Sequence, residues 1–424
     1  MKLVVVGGGS TYTPELVDGV GRLAGSLPVS ELVLVDPDEH RLELVGGLSS
    51  RIMAAYGHPA PVRGTTDLDD GLDGAGAVLL QLRVGGQAAR HRDETWPLAC
   101  GCVGQETTGA GGFAKALRTV PIVLDIAERA RRLAAPDAWI VDFTNPVGIV
   151  TRALLDAGHR AVGLCNVAIG FQRRFAARYG VDPSRISLGH VGLNHLTWER
   201  AVYLDGRDVL PELLATDGEG IAESLGLPVD VIRGLGVIPS YYLRYYYAHD
   251  EVVEEQRGEP TRAEVVAGYE KELLDMYADP ELRTKPELLA KRGGAFYSEA
   301  AIQLLAALTG DTGDVQVVNL RNNGSLPFLA DDAVIEVPAR VGADGPVALP
   351  IDPVESLYAG LIAHVAGYEE LAVAAAVRGG RDRVFRALLA HPLVGQISLA
   401  ERLTDRLLAE NHNYLSWADG AATS

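Results

Sequence analysis

The chain opens with an apolar run, Lys2 to Val6, closed at once by Gly7-Gly8-Gly9. Leu16, Val17, Val20 and Leu23 then recur on one helical face, so the pattern reads as strand, glycine turn, helix. Thr13, Pro14 and Glu15 supply a start signal: a hydroxyl to cap the helix, a proline at its first position and an acid in its first turn. A second apolar run, Glu31 to Val35, ends at Asp36, and others follow at Ala77 to Leu82 and Ala138 to Phe143. Helical stretches fall between them at about His40 to Tyr56 and Thr119 to Leu133. Strands that alternate with helices predict a parallel sheet covered on both faces.

Beyond Val150 the pattern is less regular. Short strand-like pieces occur at Arg160 to Leu164, Ile186 to His190 and Trp198 to Tyr203, and helical stretches then dominate at Ala263 to Met276, Ser298 to Leu308 and Ser356 to Val377. Val315 to Pro338 reads as extended chain broken by turn chemistry at Asn322-Asn323-Gly324. There is no repeat, low-complexity tract or flexible linker, so two halves that pack tightly around a cleft are expected.

Composition narrows the partners. With 424 residues, 47% of them hydrophobic, the chain can bury a large core. No apolar run of the ~20 residues that cross a bilayer is apparent, and the first residues enter a strand instead of a signal segment, so no membrane association and a cytoplasmic location are expected. Three cysteines, Cys100, Cys102 and Cys165, do not suggest a disulfide framework. A net charge of −18 argues against a nucleic-acid partner. It leaves room for a small phosphorylated ligand, which needs only one or two local arginines.

Gly7 and Gly9 stand at the first two positions of a G-x-G-x-x-G turn, where glycine permits both the tight bend and close approach of a pyrophosphate to a helix N-terminus. Tyr12 replaces the third glycine, so the usual close packing of helix on strand must differ. Asp36 follows at about the interval expected for an acid on the ribose diol, which favours NAD over its 2′-phosphorylated form. The plainer alternative is that the glycines merely close a turn and Asp36 caps a loop.

Several blocks resemble glycoside hydrolase family four. They are Gly7-Gly8-Gly9-Ser10-Thr11-Tyr12-Thr13-Pro14-Glu15-Leu16, Leu82-Arg83-Val84-Gly85-Gly86 with Arg90, Gly104-Gln105-Glu106-Thr107, Phe143-Thr144-Asn145-Pro146, Cys165-Asn166-Val167, Gly192-Leu193-Asn194-His195, Pro239-Ser240-Tyr241-Tyr242-Leu243 and Arg292-Gly293-Gly294-Ala295-Phe296-Tyr297-Ser298. Their order spans nearly the whole chain. Asparagine at 166, directly after the cysteine, is similar to the 6-phospho-β-glucosidase branch.

The resemblance implies an α/β fold like that of lactate and malate dehydrogenases. Residues 1–164 would form a Rossmann-like, doubly wound NAD-binding domain, and residues 165–424 an α+β domain for substrate, metal and oligomerisation. It also implies a redox-neutral hydrolysis outside the usual two-carboxylate scheme: oxidation of the sugar at C3 by NAD, removal of the C2 proton, expulsion of the aglycone, addition of water and return of the hydride. Cofactor contacts are expected from Gly7, Gly8, Gly9, Ser10, Thr11, Asp36, Arg83 and Glu106, with Glu106 and Thr107 in a loop near the nicotinamide. Cys165 and His195 are the metal ligands implied, for Mn²⁺ or another divalent ion, and a thiolate with an imidazole suits a borderline cation.

Tyr242 is the implied base, with Tyr241 its neighbouring competitor, and it needs a nearby cation to favour its phenolate. Arg90, Asn145 and Asn166 are expected around the sugar and Arg292 on its phosphate. Each residue also has a bland reading: a buried core cysteine, a hydrogen-bonded histidine, a packed tyrosine run from 241 to 247, arginines in surface ion pairs. Cys100 and Cys102 are expected to be structural. Relatives imply a homodimer or homotetramer. Three other readings remain open: an NAD dehydrogenase of the lactate or malate kind using His195 as acid/base, a family-four glycosidase for an α-linked or unphosphorylated glycoside, and a non-enzymatic dinucleotide-responsive binding protein, which would tolerate replacement of Tyr242 and Cys165.

Overall fold

The computed structural model describes residues 1–293 and 296–418. Gly294 and Ala295 of the late sequence block lie outside the described residues. The strands, in chain order, are β1 (Lys2–Val6), β2 (Glu31–Val35), β3 (Val62–Thr65), β4 (Ala77–Leu80), β5 (Trp139–Asp142), β6 (Ala161–Gly163), β7 (Ile186–Leu193), β8 (Leu196–Leu204), β9 (Arg207–Asp208), β10 (Ile238–Pro239), β11 (Asp314–Arg321), β12 (Val334–Gly342) and β13 (Gly345–Ala348). A nine-stranded sheet runs β13-β12-β11-β6-β5-β4-β1-β2-β3.

Its parallel part, read from the far edge as β3-β2-β1-β4-β5-β6, has the doubly wound order of dinucleotide-binding proteins. The sequence accounts for this part directly. Leu3 to Val5, Leu32 to Leu34 and Ala77 to Leu80 are fully buried, because helices cover both faces of a parallel sheet and every side chain must be apolar. Burying one such valine or leucine contributes about 1.5–3 kcal/mol.

The rest of the sheet comes from the other half of the chain. The extended stretch expected from Val315 to Pro338 is an antiparallel pair, β11 and β12, joined by a loop that Asn322 organises. The Asn322 amide donates to Leu326 O at 3.0 Å and Ala330 O at 3.1 Å and accepts from Leu326 N at 2.7 Å. β11 meets β6 through Asn319 opposite Gly163. Residues 314–348 therefore complete the sheet of the first half, and the expected division at 164/165 does not separate the sheets. A second sheet, β10-β8-β7 with β9 on β8, stands against β12 and has its own core of Phe171, Phe175, Val202, Leu213 and Ile221.

Helices depart from expectation where glycine hides a start. Thr119 to Leu133 is only the second half of the helix Gly109–Leu133, which begins in Gly-Ala-Gly-Gly, and Gly86–Ala99 forms a further helix that carries Arg90. Among the described residues the helix Ser356–Arg378, with mean hydropathy 1.3, is long and apolar enough in length and composition to cross a membrane, which corrects the expectation from sequence. Here it is packed: Tyr358, Ile362, Ala372 and Ala375 are buried in the main core.

An ion pair joins three helices. Arg118 on Gly109–Leu133 forks onto Asp93 on Gly86–Ala99 at 2.9 and 2.5 Å, and its Nη1 reaches Asn411 Oδ1 on Ile397–Asn411 at 2.5 Å. Burial pushes the Asp93 carboxyl up to about 6, and Arg118 opposes the shift. Removing the cation leaves a buried acid alone, so Arg118→Met is expected to lower unfolding free energy by about 3–5 kcal/mol, whereas Arg118→Met with Asp93→Leu should recover much of the loss. Urea titration of the two variants checks this.

Candidate active site

The first site element is the turn after β1. Gly7 has φ +87°, and a Cβ there would lie 2.7 Å from Gln81 O; a Cβ on Gly9 would lie 2.8 Å from the Asp36 carboxyl carbon. Gly9 N–H donates to Asp36 Oδ2 at 3.0 Å, so the acid after β2 braces the turn as well as bordering it. Thr13 is not the cap expected of it. It is the first helical residue, and its hydroxyl donates to Gly8 O at 2.9 Å and accepts from Gln81 Nε2 at 2.7 Å. Tyr12, in place of the third glycine, sets its ring edge-on against Tyr297 at 6.2 Å.

Beside this turn lies a group that sequence reasoning missed. Glu270 accepts from Gln87 Nε2 at 3.0 Å and Arg292 Nη2 at 3.1 Å, with Arg41 Nη1 at 3.8 Å. Burial opposes the Glu270 charge, but Arg292 and Arg41 hold its carboxyl below the usual range. Arg292 also reaches Ser10 Oγ at 3.4 Å, so it lies at the glycine turn and is already paired with an acid.

The second element is a buried charge cluster. The Glu106 carboxylate meets Arg83, Arg90 Nε at 3.1 Å and Lys115 Nζ at 2.7 Å. Burial works against its charge, yet the three cations hold it well below the usual carboxylate range. Burial pushes the Lys115 ammonium down to about 8 while Glu106 opposes. Glu106 is therefore the anchor of Arg83 and Arg90. Arg90 also pairs with Glu94 at 2.7 Å, and its positive charge acts on Tyr242. Asn145, in the segment that follows β5, keeps its side-chain oxygen buried without a hydrogen-bond partner among the described residues.

The third element joins residues far apart in sequence. His195 lies in the two-residue turn between β7 and β8 with φ +62°, a conformation rare outside glycine, and its Nδ1 is buried without a hydrogen-bond partner. Its ring stacks on Tyr242 with centroids 3.7 Å apart and planes 11° from parallel. Cys165 ends the segment after β6, at the start of the helix Val167–Tyr179, where the backbone N–H groups of Val167 and Asn166 and the Asn194 side chain hydrogen-bond its sulfur. Cys165, His195 and Tyr242 thus share one buried neighbourhood. Tyr241, in contrast, is exposed, with Arg244 Nη1 donating to its hydroxyl at 2.8 Å.

Burial keeps all three groups neutral. It pushes the Cys165 thiol far up, with Glu336 adding to the shift; it drives His195 down to about 4; and it raises Tyr242 well above 10, with Cys165 adding to it and Arg90 opposing. A divalent cation fits these residues. The thiol already has three hydrogen bonds that favour its thiolate, the imidazole is unprotonated and holds an unpartnered nitrogen, and a cation beside them would reverse the burial effect on both sulfur and phenol. Among the described residues no three His, Cys, Asp or Glu side chains converge as a metal cage, so the site offers two protein donors.

A doubly wound sheet, a glycine turn at its reversal point and a thiol, imidazole and phenol gathered beyond the strand ends define a dinucleotide-binding α/β enzyme of dehydrogenase architecture. The chain belongs to glycosyl hydrolase family 4: it matches the family description "Family 4 glycosyl hydrolase" over residues 2–181 and "Family 4 glycosyl hydrolase C-terminal domain" over residues 190–394. It is 39% identical to the probable 6-phospho-β-glucosidase of Bacillus subtilis, over 98% of this chain and 97% of that one. It is 36% identical to the 6-phospho-β-glucosidase of Escherichia coli, over 98% and 96%.

The 6-phospho-β-glucosidase of Thermotoga maritima, solved with NAD and glucose 6-phosphate, superposes with a TM-score of 0.92 at 33% identity, over 98% of this chain and 99% of that one. A form with manganese, NAD⁺ and glucose 6-phosphate gives a TM-score of 0.91 at 32% identity, over 98% and 99%. Malate dehydrogenase of Salinibacter ruber, 18% identical, shares the fold with a TM-score of 0.55, over 90% and 99%. The family read from the sequence blocks and the dehydrogenase-like fold both hold.

Sequence reasoning missed Lys115, Glu270 and Glu336. The available signal was a lone charge in an apolar setting, as in Ala333-Val334-Ile335-Glu336-Val337. Glu336 belongs to a buried set in which His190 Nδ1 meets Glu199 Oε1 at 2.6 Å and His190 Nε2 meets Glu336 Oε1 at 3.1 Å. Burial disfavours the imidazolium, but the two carboxylates raise it to about 10. A histidine whose pKa rises on folding contributes stability fully below its unfolded value, near 6.5, and loses that contribution as pH climbs through about 10. His190→Gln should therefore cost most stability at pH 6, and the deficit should shrink toward pH 10 when chemical denaturation is followed across that range.

Proposed function

We propose that this enzyme hydrolyses 6-phospho-β-glucosides to glucose 6-phosphate and an aglycone, without net change in the redox state of a bound NAD. The observation that carries the reading is the stacking of Tyr242 on His195 beside Cys165, which brings a proton acceptor and two metal donors to one point. The cofactor and sugar phosphate bound by the Thermotoga maritima relative, and the activity named for the bacterial relatives, support the choice of substrate.

Gly7, Gly8, Gly9, Ser10 and Thr11 form the seat for a pyrophosphate, and Asp36 borders the ribose. Cys165 and His195 would hold Mn²⁺ or a similar ion. When bound, NAD⁺ supplies a reversible hydride acceptor for C3 of the sugar and the ion supplies a Lewis acid for the oxygen on that carbon. Tyr242 then takes the C2 proton, which a C3 ketone acidifies. Loss of that proton expels the C1 oxygen of the aglycone, and addition of water to the unsaturated sugar precedes restoration of C3. Arg90, set by Glu106 and Glu94, holds the sugar near Tyr242 and favours its phenolate.

Asn145 and Asn166 complete the sugar contacts, and asparagine at 166 assigns the β-glucoside branch. Arg83 is a further contact for the cofactor. Arg292 is a phosphate ligand only if the phosphate approaches the glycine-turn side, where its guanidinium is held. Residues 165–424 contribute the substrate and metal side of the cleft and the contacts of a homodimer or homotetramer. A cytoplasmic location accords with three unpaired thiols.

A plain dehydrogenase is disfavoured because His195, buried and pushed down to about 4, has among the described residues no carboxylate hydrogen-bonded to Nδ1 to make it an acid/base pair. With 4-nitrophenyl β-D-glucoside 6-phosphate, NAD⁺, Mn²⁺ and reductant, nitrophenol release is expected while absorbance of reduced cofactor stays flat. Cleavage of the α-anomer or the unphosphorylated glycoside in its place would redirect the substrate assignment. Product formed in D₂O should carry deuterium at C2, and Tyr242→Phe should lower its formation at least ~100-fold with NAD affinity intact. Unchanged exchange in that variant would move the base elsewhere.

A further inference from the structure

Glu336 is the one acid in the strand β12, and it is buried. Three donors meet its carboxylate: His190 Nε2 at 3.1 Å, Asn194 Nδ2 at 3.0 Å and Asn319 Nδ2 at 2.9 Å. They come from β7, from the β7–β8 turn and from β11, so one carboxylate pins the second sheet to the first. An irregularity in strand register between Leu188 and His190 sets His190 opposite Glu199, and the imidazole spans both acids. One imidazolium between two carboxylates leaves one negative charge in the interior. A buried charge without a counter-charge is costly by several kcal/mol, so a neighbouring cation would be strongly favoured.

Asn194 shows where that cation belongs. Its amide donates to Glu336 and hydrogen-bonds the Cys165 sulfur, and its backbone leads directly into His195 in the same two-residue turn. The negative charge of Glu336 acts on both Cys165 and His195. Three donors already meet the Glu336 carboxylate, and among the described residues it forms no three-donor metal cluster with Cys165 and His195.

We propose that Glu336 and Asn194 are positioning residues for the divalent ion: Glu336 clamps Asn194, Asn194 orients the Cys165 sulfur and the His195 turn, and Glu336 supplies the buried negative charge that balances the cation. This rests on the reading of Cys165 and His195 as the ion's protein donors. Outer groups that orient metal ligands contribute about ten- to hundredfold in affinity.

The test is Mn²⁺ binding to the NAD-loaded full chain under reductant, followed by electron paramagnetic resonance of the free ion. NAD affinity and thermal melting are recorded on the same samples. Glu336→Gln is expected to weaken Mn²⁺ about ten- to hundredfold with NAD affinity unchanged. Glu199→Asp keeps the charge while loosening the same histidine from its other side, away from Asn194, and should stay within about threefold of the parent. Equal losses in the two variants would show general loosening of the hairpin and overturn the proposal, as would unchanged Mn²⁺ affinity in folded Glu336→Gln.

Should that variant not fold, Asn194→Leu leaves Glu336 on His190 and Asn319 while freeing Cys165. It should lose affinity about tenfold and weaken the thiolate band of bound Co²⁺; no change in either overturns the proposal. Absence of Mn²⁺ binding by the parent chain would instead overturn the donor assignment, and this inference with it.

Discussion

A carboxylate stays ionised inside a protein only when cations or N–H donors surround it, and two carboxylates under that constraint assemble this site. Glu106 gathers Arg83, Arg90 and Lys115. Glu336 gathers His190, Asn194 and Asn319. Neither acid is exposed to do chemistry. Each organises groups proposed for the chemistry, Arg90 in the first case and the Cys165–His195 pair in the second.

The same burial that makes these clusters rigid holds the reactive groups in their resting forms. Thiol, phenol and imidazole are all pushed toward neutrality, with desolvation the largest cause at Cys165, Tyr242 and His195 alike. A cation arriving beside them changes the balance for all at once, because the interaction that favours a thiolate also favours the neighbouring phenolate. With the proposed donors and base, metal binding would be coupled to activation of the phenol.

The architecture separates two tasks that a dehydrogenase combines. The doubly wound half presents the dinucleotide turn and the Glu106 cluster. Strands β11 and β12, entering the same sheet from the second half, carry Asn319 and Glu336 to the place where the β7–β8 hairpin delivers His195. A shared sheet fixes the distance between cofactor seat and metal donors more firmly than a hinge between separate bodies would. The dehydrogenase order of strands is retained.

What the sequence alone determined is what short-range pattern can express. Apolar runs separated by helical faces specified the parallel sheet, Gly7 and Gly9 specified a turn that only glycine can make, and ordered blocks marked Cys165, His195 and Tyr242 together. It failed where local signals mislead: Thr13 looks like a cap and braces the turn instead, and the glycine-rich start of Gly109–Leu133 conceals a helix. Only the tertiary structure decided that Arg292 pairs with Glu270, that Glu106 anchors arginines and that Glu336 reaches Asn194. These contacts join residues from 16 to 142 positions apart. The identity of a buried charge's partner is set by which strands and helices meet in space, and no periodicity along the chain encodes that meeting.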